Sequence, residues 1–78
     1  MKDLIVYIAR SLVNDPTQVE VETRSHRGKV NVKLQVAQED MGRVIGRNGR
    51  VANAMRSLLN VAASSKGKKA HLDIVEPR

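Results

Sequence analysis

A chain of 78 residues has room for one small hydrophobic core, which excludes a multidomain enzyme with a deep enclosed site. It has no cysteine, so disulfide frameworks, thiolate metal sites and cysteine nucleophiles are excluded, and a reducing, cytoplasmic setting is expected. A single tyrosine, with no Phe or Trp, excludes the aromatic base-stacking platforms of RNA-recognition and OB-type domains, while a net charge of +6 points to a polyanion, either nucleic acid or an anionic membrane.

The charge is uneven. Residues 1–40 carry six basic and six acidic side chains, whereas residues 41–78 carry eight basic and two acidic ones. The whole excess therefore lies in the second half. At the N-terminus, Leu4 to Ala9 is apolar but Arg10 interrupts it, Asp3 sits where a signal peptide needs positive charge, and no small-residue cleavage site follows. No segment approaches the ~18 apolar residues of a membrane span. Leu4, Ile5, Ile8, Leu12 and Val13 recur at helical spacing instead, and Asn14-Asp15-Pro16 ends that helix.

Two alternating segments follow, Val19-Val21-Thr23 and Val30-Val32-Leu34-Val36, each predicting a strand with one buried face. The Ser25-His26-Arg27-Gly28 link makes them an antiparallel hairpin. Asp40 is placed to cap a short helix over 41–45. After Gly46-Arg47-Asn48-Gly49, a longer helix is predicted from Arg50 to about Ser64, with Val51, Ala54, Met55, Leu58 and Ala62 on one stripe. Ser64, Ser65 and Gly67 close it. A last strand over roughly 69–75 turns Ala70, Leu72 and Ile74 inward, and Glu76-Pro77-Arg78 is a tail. The chain reads as one domain over 1–78.

The expected fold class is α+β in the order α-β-β-α-α-β. A two-helix crossover joins the second and third strands in parallel, so a mixed three-stranded sheet carries three helices on one face. The other face is open, with Glu20, Glu22, Asn31, Lys33, Gln35, His71 and Asp73.

The chemistry centres on residues 41–55. Gly46 and Gly49 bound a four-residue turn between helices, Arg43, Arg47 and Arg50 surround it, and no acid occurs between Asp40 and Asp73. Glycine lets a sugar-phosphate backbone approach closely. The first amides of the following helix lack intrahelical partners and favour a phosphate. Arg47 adds a planar donor fork. A helix-turn-helix corner with a capping glycine is the plainer reading of such a turn.

Gly42-Arg43-Val44-Ile45-Gly46-Arg47-Asn48-Gly49-Arg50 resembles the V-I-G-x-x-G core of the KH domain, and the element order resembles its type II form. A stand-alone domain of this length is similar to the small bacterial RNA-binding KhpA family. The resemblance covers essentially the whole chain. It implies a groove for about four unpaired nucleotides. In that groove Gly46, Arg47, Asn48 and Gly49 clamp the backbone, Arg43 and Arg50 lie beside phosphates, and Val44, Ile45 and Val51 form an aliphatic floor. It also implies homodimers and pairing with a larger partner, KhpB.

Lys66, Lys68 and Lys69 either extend the phosphate track or form a solvated turn. His26 and His71 lie on different elements with no third ligand, so no metal is expected, and without a phosphate-loop signature or an acid/base pair neither is a cofactor or an enzymatic activity. Two functions remain. The first is binding of single-stranded RNA, as an RNA chaperone or post-transcriptional regulator. The second is an interaction or scaffold role through dimerisation. Leu59 and Val61 lie off the predicted stripe and are candidates for a dimer contact, although Leu59 could equally pack under the first helix. A membrane partner is disfavoured because the polar face of the first helix has few cations.

Overall fold

In the computed structural model, which describes residues 2–76, the elements are α1 (Lys2–Leu12), β1 (Glu20–His26), β2 (Lys29–Gln35), α2 (Met41–Ile45), α3 (Arg50–Ser64) and β3 (Lys69–Val75). Of the expected tail, Pro77 and Arg78 lie outside the described residues. Short 3-10 turns occupy Pro16–Gln18, Gln38–Asp40 and Arg47–Gly49. This is the order of the type II KH fold.

Strand β2 is central, antiparallel to β1 and parallel to β3. Its alternation is complete: Val30, Val32 and Leu34 are buried while Lys29, Asn31 and Lys33 are exposed. Two residues, Arg27 and Gly28, make the hairpin turn, with φ of 49° and 78°. Positive φ at both central positions matches the turn to the twist of the strands. The core gathers Ile5 and Ala9 of α1, the three β2 residues, Val44 of α2, Met55 and Leu59 of α3, and Leu72 of β3. Each large aliphatic side chain buried there contributes roughly 1.5–3 kcal/mol. The opposite face is open as expected. Glu20, Glu22, Asn31, Lys33 and His71 are exposed, and Gln35 and Asp73 are half-buried.

Helix α3 departs from the expected stripe by a rotation. Ala52, Met55, Leu59 and Ala63 are buried, whereas Ala54 and Leu58 are exposed and Val51 and Ala62 only half-buried. Met55 belongs to both stripes, so helical spacing alone leaves the choice to Leu58 or Leu59. Alanines at both ends of the buried stripe let the helix lie close to the sheet. Leu59 is therefore core, 1% exposed, and is not free for the dimer contact that its off-stripe position suggested.

The edge strand β1 also departs. Val19 and Val21 are half-buried, but Thr23 is exposed with the rest of the strand beyond it. The helices cover only its beginning, so the outer hairpin projects past the core.

Asp40 sits at the N-cap position of α2 but makes no side-chain cap there. Its buried carboxylate instead accepts the backbone N–H groups of Asn14 and Asp15, both at 3.1 Å, and lies 3.6 Å from Arg43 Nε. It thus ties the end of α1 to the start of α2. Asp40→Asn keeps the shape but turns a donor toward one of those amides. The expected loss is about 1–3 kcal/mol by urea denaturation. An unchanged midpoint would remove Asp40 from this role.

Candidate nucleic-acid interface

Helix α2 is one turn long, and the Gly46 N–H closes it on the Gly42 carbonyl at 2.9 Å. Gly46 then takes φ 76° and ψ 172°. A Cβ built there would stand 2.5 Å from Val51 Cγ2 and 2.9 Å from the Val51 backbone nitrogen. The position admits no side chain, both for its dihedrals and for this close approach. Asn48, at φ 57° and ψ 25°, and Gly49, at φ 74° and ψ 15°, complete a 3-10 turn. The Gly49 N–H donates to the Gly46 carbonyl at 3.2 Å, and the Arg50 N–H to that of Arg47. Gly49 is the N-cap of α3 and no side chain caps that helix. Beyond the Arg50 N–H, no side chain takes the first-turn amides, and the positive end of the dipole there favours an anion.

The surrounding side chains divide into two groups. Arg47, Asn48 and Arg50 are exposed, Ile45 is 37% exposed, and Arg43 is half-exposed beside Asp40. Val51 is half-buried under Gly46. Val44, expected in the aliphatic floor, is completely buried in the core. Helix α2 packs against α1 and α3, and its single turn puts Val44 into the core they share. Ile45 and Val51 are left as the aliphatic surface.

Two further residues belong here that the motif does not single out. Arg56 Nη1 donates to Asn53 Oδ1 at 3.1 Å, and its Nε to the Leu72 carbonyl of β3 at 3.4 Å. These side chains run from beside Gly49 to the edge of β3. Their signal in the sequence is the polar stripe Arg50-Asn53-Arg56-Ser57-Asn60, which spacing places on one face of α3.

Lys66, Lys68 and Lys69 are exposed but do not join this cluster. They follow the C-terminal end of α3, whose 15 residues separate them from the loop by about 22 Å. There the Gly67 and Lys68 N–H groups bond the Ser64 and Ala63 carbonyls, both at 2.9 Å, ending the helix in a Schellman motif. Among the described residues no group of three or more His, Asp or Glu could hold a metal, and no helix is long and apolar enough to cross a membrane.

The two glycines of the turn should respond unequally. A Cβ at Gly49 meets only Asn53 Nδ2 at 3.9 Å, so Gly49→Ala carries dihedral strain alone, about 1 kcal/mol. Gly46→Ala adds the clash with Val51 backbone and should cost more than twice as much. Thermal melts of both variants check the order, and equal costs would contradict the close approach.

A profile of the family described as KhpA/KhpB, KH domain, matches residues 2–74. A protein of Treponema pallidum named RNA-binding protein KhpA is 41% identical over 75 residues, covering 96% of this chain and 94% of its own length. One of the same name from Listeria monocytogenes is 41% identical over 76 residues, 97% of this chain and 100% of its own. Era, solved in complex with MgGDPNP and nucleotides 1506-1542 of 16S ribosomal RNA, aligns with 96% of this chain and 29% of its own at TM-score 0.56 and 17% identity, a likeness of fold. Profile, full-length identity and the Gly46–Gly49 turn agree: the chain belongs to the KhpA/KhpB KH-domain family.

Proposed function

We propose that this chain binds single-stranded RNA at the Gly46–Gly49 turn and acts on transcripts in the cytoplasm as an RNA chaperone or post-transcriptional regulator. The observation that carries the reading is the conjunction at the turn. Gly46 is a backbone position without room for a Cβ, α3 starts without a side-chain cap, and Arg47 and Arg50 stand exposed beside it. A phosphate against that turn meets free amides and cations together. Bases of the same strand lie over Ile45 and Val51, and Asn53 and Arg56 offer polar groups toward the β3 edge. The relatives named RNA-binding protein support the same ligand.

Replacing Arg47 and Asn48 together with Asp tests this. Asp tolerates the left-handed backbone at position 48, and both side chains are exposed, so circular dichroism should stay native. Affinity for an unstructured RNA should fall at least about tenfold, since two carboxylates replace phosphate-binding groups. Native spectra with unchanged affinity would overturn the assignment.

Self-association is a second reading, favoured by one observation. Leu58 is 50% exposed and Val61 70% exposed, on a flank of α3 away from the buried stripe. A second copy would cover this flank and use the same patch twice. A larger KH-domain partner such as KhpB is the heterotypic form of the same idea. Light scattering should give a dimer for the wild type and a folded monomer for Val61→Asp. A wild type that stays monomeric at high concentration overturns self-pairing.

A further inference from the structure

The register of the sheet sorts its open face into four cross-strand rows. They are His26, Lys29 and Lys69; Arg24, Asn31 and His71; Glu22, Lys33 and Asp73; and Glu20, Gln35 and Val75. The middle rows mix cations with acids, Lys33 lying between Glu22 and Asp73. Arg24 Nε lies 3.1 Å from Glu22 Oε1, and His71 Nε2 lies 2.9 Å from Asp73 Oδ1. The first row has no such partner. Lys29 and Lys69 are direct neighbours on paired parallel strands, both exposed, and neither forms an ion pair among the described residues. Like charges placed side by side on a sheet repel.

More cations converge on the same corner. The Lys69 N–H donates to the Gly28 carbonyl at 2.9 Å, which ties the hairpin turn to the α3–β3 turn. Arg27, Lys66 and Lys68 thereby join Lys29 and Lys69, and residues 26–30 and 65–70 contain no acid. A shallow depression of about 320 Å³ opens here, lined by Lys29, Asn31, Lys69 and His71 with Val30 and Ala70. The larger depression, about 890 Å³, lies at the other end of the sheet, where Glu20, Glu22 and Glu76 stand with Lys2 and Lys33 among its lining residues, so no basic excess gathers there. The sheet is thus polar in charge along its strands, basic at the hairpin end.

We propose that this basic corner is a second phosphate-binding surface for the same single-stranded RNA, engaging nucleotides beyond those held at the Gly46–Gly49 turn. The proposal rests on the RNA-binding reading above. Charge complementarity selects the occupant, because a run of cations spread over two turns and a sheet face suits a polyanion rather than one small anion. Position selects a longer strand. The corner lies about 22 Å from the turn along α3 and on the opposite face of the sheet, so a strand held at the turn must continue around the β3 edge, beyond the about four nucleotides of a KH groove, to reach it. A strand leaving the turn passes Asn53 and Arg56 and reaches the corner around the β3 edge.

The test compares unstructured RNAs of 5 and 15 nucleotides, titrated fluorimetrically against the wild type, Lys29→Glu/Lys69→Glu, and the Arg47→Asp/Asn48→Asp variant. The corner variant should bind the 5-mer within twofold of wild type and the 15-mer at least tenfold more weakly. Its slope of log affinity against log salt on the 15-mer should shrink by about 1.4, for two contacts at roughly 0.7 each. A 15-mer affinity within twofold of wild type overturns the proposal, and so does an equal loss on both lengths. Should the Glu variant unfold, Lys29→Gln/Lys69→Gln, which removes the repulsion, must still weaken the 15-mer at least threefold. If the loop variant keeps its RNA affinity while the corner variant loses it, the turn reading fails and the corner stands. Wild type that binds phosphatidylglycerol vesicles through Lys29 and Lys69, with 15-mer affinity untouched by their substitution, overturns the proposal in favour of a lipid surface.

Discussion

Parallel pairing of β2 with β3 is the constraint on which the rest depends. Two parallel neighbours cannot be joined by a tight turn, so the chain must travel back along the sheet before β3 begins. The return leg is α3, and the short α2 and the Gly46–Gly49 turn fill the space before it starts. This places the turn at one end of the molecule and the lysine-rich α3–β3 turn at the other. The two cationic turns are thereby separated by the length of one helix.

Each end is held by a different device. At the loop end, Gly46 presses its backbone against Val51, and Asp40 clamps the amides that follow α1. At the far end, the Lys69–Gly28 hydrogen bond and the Schellman bonds set where β3 enters the sheet. The core between them is aliphatic. Exposed side chains at both ends can therefore be charged without a penalty of burial. A domain this small keeps its ligand chemistry on its surface.

Much of this geography is legible in the sequence. Strict alternation over Val30–Leu34 and Ala70–Ile74 identifies strands, and the residues between them fall on the open face where expected. The turn between α2 and α3 follows from two glycines three apart amid arginines. What escapes is rotation and reach. Adjacent leucines at 58 and 59 offer α3 two apolar faces, and only the packing surface decides between them. Val44 and Ile45 are equally apolar, but a one-turn helix buries one and exposes the other. Asp40 reads as a cap because its partners, Asn14 and Asp15, are distant in the chain. The separation of the lysines from the loop, by contrast, follows from the predicted helix over 50–64 once its length is converted to distance.

Strand β3 has one further property, set by its position at the border of the sheet. A border strand presents a row of outward backbone donors and acceptors, a template on which a foreign strand can grow. Arg56 reaches over from α3 and occupies the Leu72 carbonyl in the middle of that row. The flanking outward side chains are Lys69, His71 and Asp73, all polar. On the opposite border, β1 shows Glu20, Glu22 and Arg24. Both margins are thus unattractive to an invading chain. A short sheet with one bare face stays finite, and the domain resists ordered aggregation while that face remains open to a ligand.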